Sequence, residues 1–249
     1  MNLAAVILAA GKGTRMNEGS ASPIPKVMFE ANGKPLLYYA IKNVQDAGIE
    51  RVVAVVGYKQ ELVRNYFTNS IEYAVQEEQL GTGHAAMMAR ENLRGLVDAV
   101  VVCYGDMPLF KPETIKNLIQ EYQNEQPTIA MLSVDFADPN FWAFGRILRD
   151  EDGYVSEIVE QKDCTEEQKQ ISKSNPGFYI FDAEWLWQNF DKLSTNNAQK
   201  EYYLTDLIKI AKDQGKKIIA VKVSSEEEVL GVNNPEQLKE AENILSSRS

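Results

Sequence analysis

The chain is patterned as short apolar runs separated by longer amphipathic stretches. "LAAVIL" (residues 3–8) is continuous and apolar and runs into glycines, which predicts a strand buried on both faces. "RVVAVV" (51–56), "IEYAV" (71–75), "AVVVC" (99–103) and "TIAMLSV" (128–134) repeat the pattern. Between them lie helical spacings. Leu36, Leu37, Ala40, Ile41 and Val44 share one side after Pro35, and Gly48 closes them; further helices are expected near 61–67 and 85–92 and from Pro112. Strand then helix, repeated, implies right-handed crossovers and a parallel sheet covered on both faces.

After about Val134 the rhythm changes. "FGRILRD" and "GYVSEIVEQ" alternate polar and apolar positions around Glu151-Asp152-Gly153, a hairpin pattern. "GFYIF" and "KIIAVKV" are further strands, and "EWLWQNF" and "YLTDLIKIAKDQG" are amphipathic helices. Asn234-Pro235 supplies a cap and first-turn proline for a last helix. One unit is expected over residues 1–249, its second half an α+β elaboration of the first.

Composition narrows the partners. The 249 residues are 44% hydrophobic and 25% charged, with a formal net charge of -10. That field repels polyanions, so neither nucleic acid nor an anionic membrane is an expected partner, and an anionic small molecule needs a local gathering of basic groups. Cys103 and Cys164 form no metal-type spacing; reduced thiols are expected. With no signal-type start and no run of membrane-spanning length, the expectation is a cytoplasmic protein.

The first glycine loop, in "VILAAGKGTRM" (6–16), directly follows the first strand. Ligands of open parallel sheets bind beyond the strands' carboxyl ends. There Gly11 and Gly13 let backbone N–H groups approach an anion, and Lys12 and Arg15 add charge. A plain strand-to-helix turn is the bland alternative. The loop is not a P-loop, because Val6 stands five residues before Gly11 and Lys12 is followed by Gly13. Nor is it a dinucleotide fingerprint, whose third glycine is replaced by Met16.

Lys26 lies in "SPIPKVM", where two prolines stiffen its approach; it is either a fixed charge for a phosphate or a solvated lysine. Gln76 and Gln79 in "QEEQLGTGHA" offer donors and acceptors suited to a base edge, or belong to a polar loop ahead of a helix at Thr82. Asp106 in "YGDMPL" falls at the end of its strand, facing the same crevice as the first loop. A carboxylate beside nucleotide phosphates implies a divalent cation, and Mg²⁺ prefers few protein ligands plus phosphate oxygens. Asn233 is a possible second oxygen ligand and Asn234 the helix cap. His84 is the only histidine, so dyads needing two are excluded. A phosphate monoester nucleophile, already ionised, needs no base, which fits phosphoryl or nucleotidyl transfer.

"LAAGKGTRM", "PKVM", "GKPLL", "QEEQLGTGHA", "YGDMPL", "FGRI", "IVEQKD", "NNAQKEYYLTD" and "GVNNPEQL" occur in this order across nearly the whole chain. Together they resemble the sugar-nucleotidyltransferase family, and within it the uridylyltransferase domain of bacterial bifunctional uridylyltransferase/acetyltransferases. The resemblance implies a Rossmann-like, mostly parallel twisted sheet of the GT-A-like type. It divides the chain into a nucleotide-binding half (about 1–134) and a sugar-binding half (about 135–249).

The resemblance also implies a reaction: UTP and N-acetylglucosamine 1-phosphate giving UDP-N-acetylglucosamine and pyrophosphate, with Mg²⁺. Ala10, Gly11 and Gly13 would hold the nucleotide, and Arg15 and Lys26 its phosphates. Gln76, Gln79, Gly81 and Thr82 would read uracil and ribose. Tyr104 and Asp106 would lie by the sugar phosphate, Asp106 and Asn233 would bind the metal, and Gly145, Glu160 and Asn175 would hold the sugar. Two departures stand out: a lengthened loop between Arg15 and Pro25, and Pro176 where the family usually has threonine. Pro176 keeps another hexose 1-phosphate open as acceptor, and a non-catalytic nucleotide-sugar binder is the remaining alternative. No hexapeptide repeats occur, so no left-handed β-helix acetyltransferase domain is expected within these residues.

Overall fold

The computed structural model describes residues 1–139 and 143–248. The first half runs β1 (Leu3–Leu8), a small hairpin of β2 (Glu30–Ala31) and β3 (Lys34–Pro35), α1 (Leu36–Asp46), β4 (Arg51–Val56), α2 (Gln60–Phe67), β5 (Glu72–Val75), α3 (Thr82–Met87), α4 (Arg90–Leu93), β6 (Ala99–Tyr104), α5 (Pro112–Glu125) and β7 (Ile129–Asp135). The second half runs β8 (Gly145–Arg149), β9 (Val155–Val159), α6 (Glu166–Lys169), β10 (Lys173–Asn175), β11 (Tyr179–Asp182), α7 (Ala183–Asn189), α8 (Asp206–Asp213), β12 (Ile218–Lys222) and α9 (Pro235–Ser247). Among the described residues, no helix is long and apolar enough to cross a membrane.

Ten strands form one sheet in the order β5-β4-β1-β6-β11-β7-β10-β8-β9, with β12 also on β7. The continuous apolar runs have a direct packing reason. Ala4, Ala5, Val6 and Ile7 of β1 are all 0% exposed, so both faces of the strand are covered. Ala4 and Val6 pack toward Leu93, Leu186 and Leu207 of α4, α7 and α8. Ala5 and Ile7 pack toward Leu37, Leu118 and Ala241 of α1, α5 and α9. Successive side chains of a strand point to opposite faces, so a helix layer on each side leaves no polar position along it.

The sheet is mixed, with its parallel strands gathered in the first half. β5, β4, β1 and β6 are parallel, but β11, the "GFYIF" strand, runs antiparallel between β6 and β7. A strand buried on both faces reads the same in either direction, because apolar content carries no polarity. β10 was not anticipated; it runs antiparallel along β7 at Val134 and Asp135, beyond the residues that β11 pairs, while β12 holds the opposite edge. Pro176 and Gly177 form a bulge between β10 and β11, since Ser174 faces Val134 and Tyr179 faces Met131. Gly177 has φ +80, and a Cβ there would fall 1.9 Å from a ring carbon of Tyr104, so only glycine lets the bulge pass under that ring. The helix expected near 85–92 is two helices, α3 and α4, joined through Met88 and Ala89. The hairpin of β8 and β9 forms around the expected turn. Asn234 caps α9, accepting from Gln237 N at 2.8 Å, and both cysteines are free thiols, with Cys103 buried.

Candidate active site

The carboxyl ends of β1 and β6 face one crevice, and two cavities open along it. The first, of about 280 Å³, is lined by Ala10, Gly11, Lys26, Gln76, Gln79, Gly81, Thr82, Tyr104 and Asp106, together with Glu201. The second, of about 210 Å³, is lined by Tyr104, Asp106, Gly145, Glu160, Asn175 and Asn233, with Phe144, Pro176 and Gly231. Tyr104 and Asp106 belong to both. Residues separated by more than two hundred positions in sequence thus meet over one carboxylate.

That carboxylate is paired. Lys26 Nζ forms an ion pair with Asp106 Oδ2 and donates to Asn233 Oδ1 at 2.8 Å. Asp106 and Asn233 are held in register through the backbone, since Val232 N donates to Asp106 O at 3.0 Å. The glycine loop positions the lysine from the other side. Lys26 N donates to Gly11 O at 3.2 Å, and Gly13, at φ +65, lies so close that a Cβ would come 2.8 Å from Lys26 Cβ. The close approach of Gly13 is therefore to the lysine's stem. The solvated-lysine alternative fails, because the Lys26 side chain is only 16% exposed.

Two expected residues line neither cavity. Gly13 acts through Lys26, as above. Arg15 is exposed, its Nη2 lying 3.4 Å from Asn233 Oδ1 at the rim. The loop between Arg15 and Pro25 is tied by a residue the sequence did not single out. Asn17 Nδ2 donates to the carbonyls of Lys12, Gly13 and Ile24 at 2.8–2.9 Å, and its Oδ1 accepts from Ile24 N at 2.9 Å. Asparagine commonly satisfies loop backbone in this way, and nothing in residue spacing marks which asparagine does so.

The amide nitrogen of each glutamine is committed to a backbone carbonyl. Gln76 Nε2 donates to Gly81 O at 3.0 Å, and Gln79 Nε2 donates to Ala10 O at 2.9 Å. The segment after Asn197 clasps this loop: Tyr202 N donates to Leu80 O and Gly83 N to Tyr202 O, both at 2.8 Å. Leu204 N donates to Thr82 Oγ1 at 3.0 Å. This clasp brings Glu201 into the first cavity. The "NNAQKEYYLTD" motif was the available signal for it, though without a role.

Charge in the second cavity is strongly perturbed. Burial raises the Glu160 carboxyl, and the Thr205 hydroxyl, donating to Oε1 at 3.0 Å, works against that rise. Nearby Asp206 is pushed up to about 6 by burial and by the charges of Glu157 and Asp163. The folded chain resists ionising Asp206, so its contribution favours folding below about pH 4 and is lost as pH rises toward 6. Asp206→Asn is therefore expected to stabilise the protein above pH 6 by on the order of 1 kcal/mol, discounted for partial exposure, and to have little effect near pH 4. Urea denaturation at pH 4 and pH 8 checks this; an equal shift at both removes the ionisation as its cause.

No three His, Cys, Asp or Glu side chains gather as a metal site among the described residues. Asp106 and Asn233 nonetheless converge on one ammonium, which shows their oxygens arranged around a cation-sized point. Two hard oxygens fit a divalent ion that takes its other ligands from phosphate and water.

An open α/β sheet with two adjoining cavities beyond the carboxyl ends of its parallel strands defines the fold class, the GT-A-like type, whose ligands lie in such a crevice. The family described as the MobA-like NTP transferase domain matches residues 5–161, and the chain belongs to it. The bifunctional protein GlmU of Streptococcus agalactiae serotype V is 43% identical over 244 residues, covering 98% of this chain and 52% of that one. That of Clostridium novyi is 43% identical over 249 residues, covering 100% and 53%. The chain spans about half the length of the curated relatives it matches. A crystal structure of UDP-glucose pyrophosphorylase complexed with UDP-glucose is similar in fold, with a TM-score of 0.82 at 22% identity over 100% of both chains. So is a putative glucose-1-phosphate thymidylyltransferase from Bacillus anthracis in complex with a sucrose, with a TM-score of 0.77 at 18% identity over 97% and 94%.

Proposed function

We propose that the protein transfers a uridylyl group from UTP to N-acetylglucosamine 1-phosphate, releasing pyrophosphate. The observation that carries this reading is the pair of cavities sharing Tyr104 and Asp106, an arrangement suited to a nucleoside and a sugar on either side of one charged junction. The ordered motifs of the sequence, together with the likeness to the GlmU relatives, support this choice of base and sugar.

On this reading Ala10, Gly11, Gln76, Gln79, Gly81 and Thr82 hold the nucleoside. Gly145, Glu160 and Asn175 hold the sugar. Asn175 is itself fixed, donating to Tyr179 OH at 2.6 Å and accepting from Gly177 N at 3.1 Å. Lys26, with Arg15 at the rim, neutralises phosphate oxygens while the sugar phosphate oxygen attacks the α-phosphorus in line. Asp106 and Asn233 would hold Mg²⁺, which when bound supplies further neutralisation of the phosphates. Positioning and charge stabilisation carry the reaction, and no side-chain base is required.

The test is pyrophosphate release across UTP, CTP and dTTP with N-acetylglucosamine 1-phosphate and glucose 1-phosphate. Fastest turnover with UTP and the acetamido sugar is expected. Pro176 lines the sugar cavity with neither an N–H nor a hydroxyl, and this favours a second reading, a different hexose 1-phosphate. Preference for glucose 1-phosphate would select it. Binding of UTP without turnover would leave a nucleotide-sugar binder.

A further inference from the structure

The only histidine of the chain lies directly behind Gln76. Gln76 is 3% exposed, lines the first cavity and has one side-chain atom wedged between two protein groups. That atom lies 3.0 Å from Gly81 O and 3.0 Å from His84 Nδ1. Its identity follows from chemistry. Gly81 O already accepts the first hydrogen bond of α3, from Ala85 N at 3.0 Å, and a carbonyl oxygen cannot face another carbonyl oxygen without repulsion. The wedged atom is therefore the amide nitrogen.

The amide nitrogen gives one hydrogen to Gly81 and the other to His84, so Nδ1 of His84 is an acceptor and the ring proton resides on Nε2. Both amide hydrogens are spent within the protein. The hydrogen-bonding capacity that Gln76 has left for the cavity is its oxygen, an acceptor.

We propose that His84 is a positioning residue that sets nucleobase preference by holding the Gln76 amide with its oxygen toward the base. This rests on the uridylyl reading above. The N3–H of a pyrimidine-2,4-dione donates to such an oxygen, whereas cytosine presents a lone pair at N3 and is repelled. Discrimination of this kind is large when a site is built around one donor–acceptor pattern, because the wrong base leaves buried groups unpaired. Without the imidazole, Gly81 alone holds the amide, one amide hydrogen loses its partner, and the side chain is free to turn its nitrogen outward.

The experiment compares kcat/KM for UTP and CTP, with the same sugar phosphate, in the wild type and in His84→Phe and His84→Asn. An asparagine amide oxygen can take the place of Nδ1, and phenylalanine keeps the ring volume with no acceptor. His84→Phe is expected to lower the UTP-to-CTP ratio about tenfold, chiefly through KM for UTP, and His84→Asn to bring it back to within about threefold of wild type. A ratio unchanged in folded His84→Phe overturns the proposal, as does an equal loss in His84→Asn. Should His84→Phe not fold, His84→Ala replaces it with the same expected and overturning results. A wild type that does not favour UTP over CTP instead removes the uridylyl reading itself, so the two failures are distinct.

Discussion

Asp106→Ala is expected to lower pyrophosphate release about a thousandfold while leaving the urea midpoint nearly unchanged. Both halves of that expectation come from the same geometry. Asp106 follows the end of β6 and is the carboxylate common to both cavities, so any charge that develops between nucleotide and sugar develops beside it. Its side chain is 24% exposed, and the ammonium of Lys26 is its ion-pair partner. A partly exposed pair contributes little to folding, usually under about 1 kcal/mol. Asp106→Asn keeps the shape and one oxygen but removes the charge, and a loss of similar size is expected there. A rate within tenfold of wild type for either variant would take Asp106 out of the reaction.

How much of this was legible in the sequence depends on what kind of signal each feature leaves. β1, β4 and β6 were readable because residues such as Val6, Val53 and Val101 are buried whichever face they point to, and such strands admit no polar position. The crevice was readable too, since Gly11 and Asp106 each follow an apolar run directly. The direction of β11 was not, because Tyr179, Ile180 and Phe181 would be just as buried in a parallel strand. Gly13 shows a subtler limit. Its requirement for glycine was visible, but its contact is with the stem of Lys26, and a glycine pressed against a side chain leaves the same trace as one pressed against a phosphate. The clasp of residues 201–204 over the "QEEQLGTGHA" loop is made mostly of backbone hydrogen bonds, which any sequence can form and none announces.

Lys26→Met is expected to have two effects of opposite sign. Turnover should fall by about a hundred- to a thousandfold, because a point charge fixed beside the phosphates is lost and a side chain of similar length without charge takes its place. Affinity for Mn²⁺ in the absence of nucleotide, followed by electron paramagnetic resonance, should rise roughly tenfold. The second effect follows from where the ammonium lies. It bonds both Asp106 Oδ2 and Asn233 Oδ1, the two oxygens expected to hold the metal, so a cation arriving there must first displace it. Once displaced, the ammonium has the nucleotide phosphates as its next available anions, and the stem pinned by Gly13 keeps its swing short. Removing the charge spares the ion that competition and deprives the phosphates of their partner, so the two measurements must move apart. Lys26→Arg keeps a charge but spreads it over a planar fork, and should recover little of the turnover. If Mn²⁺ affinity instead falls in Lys26→Met, the oxygens of Asp106 and Asn233 depend on the lysine for their placement, and the pair does not form a cation site on its own.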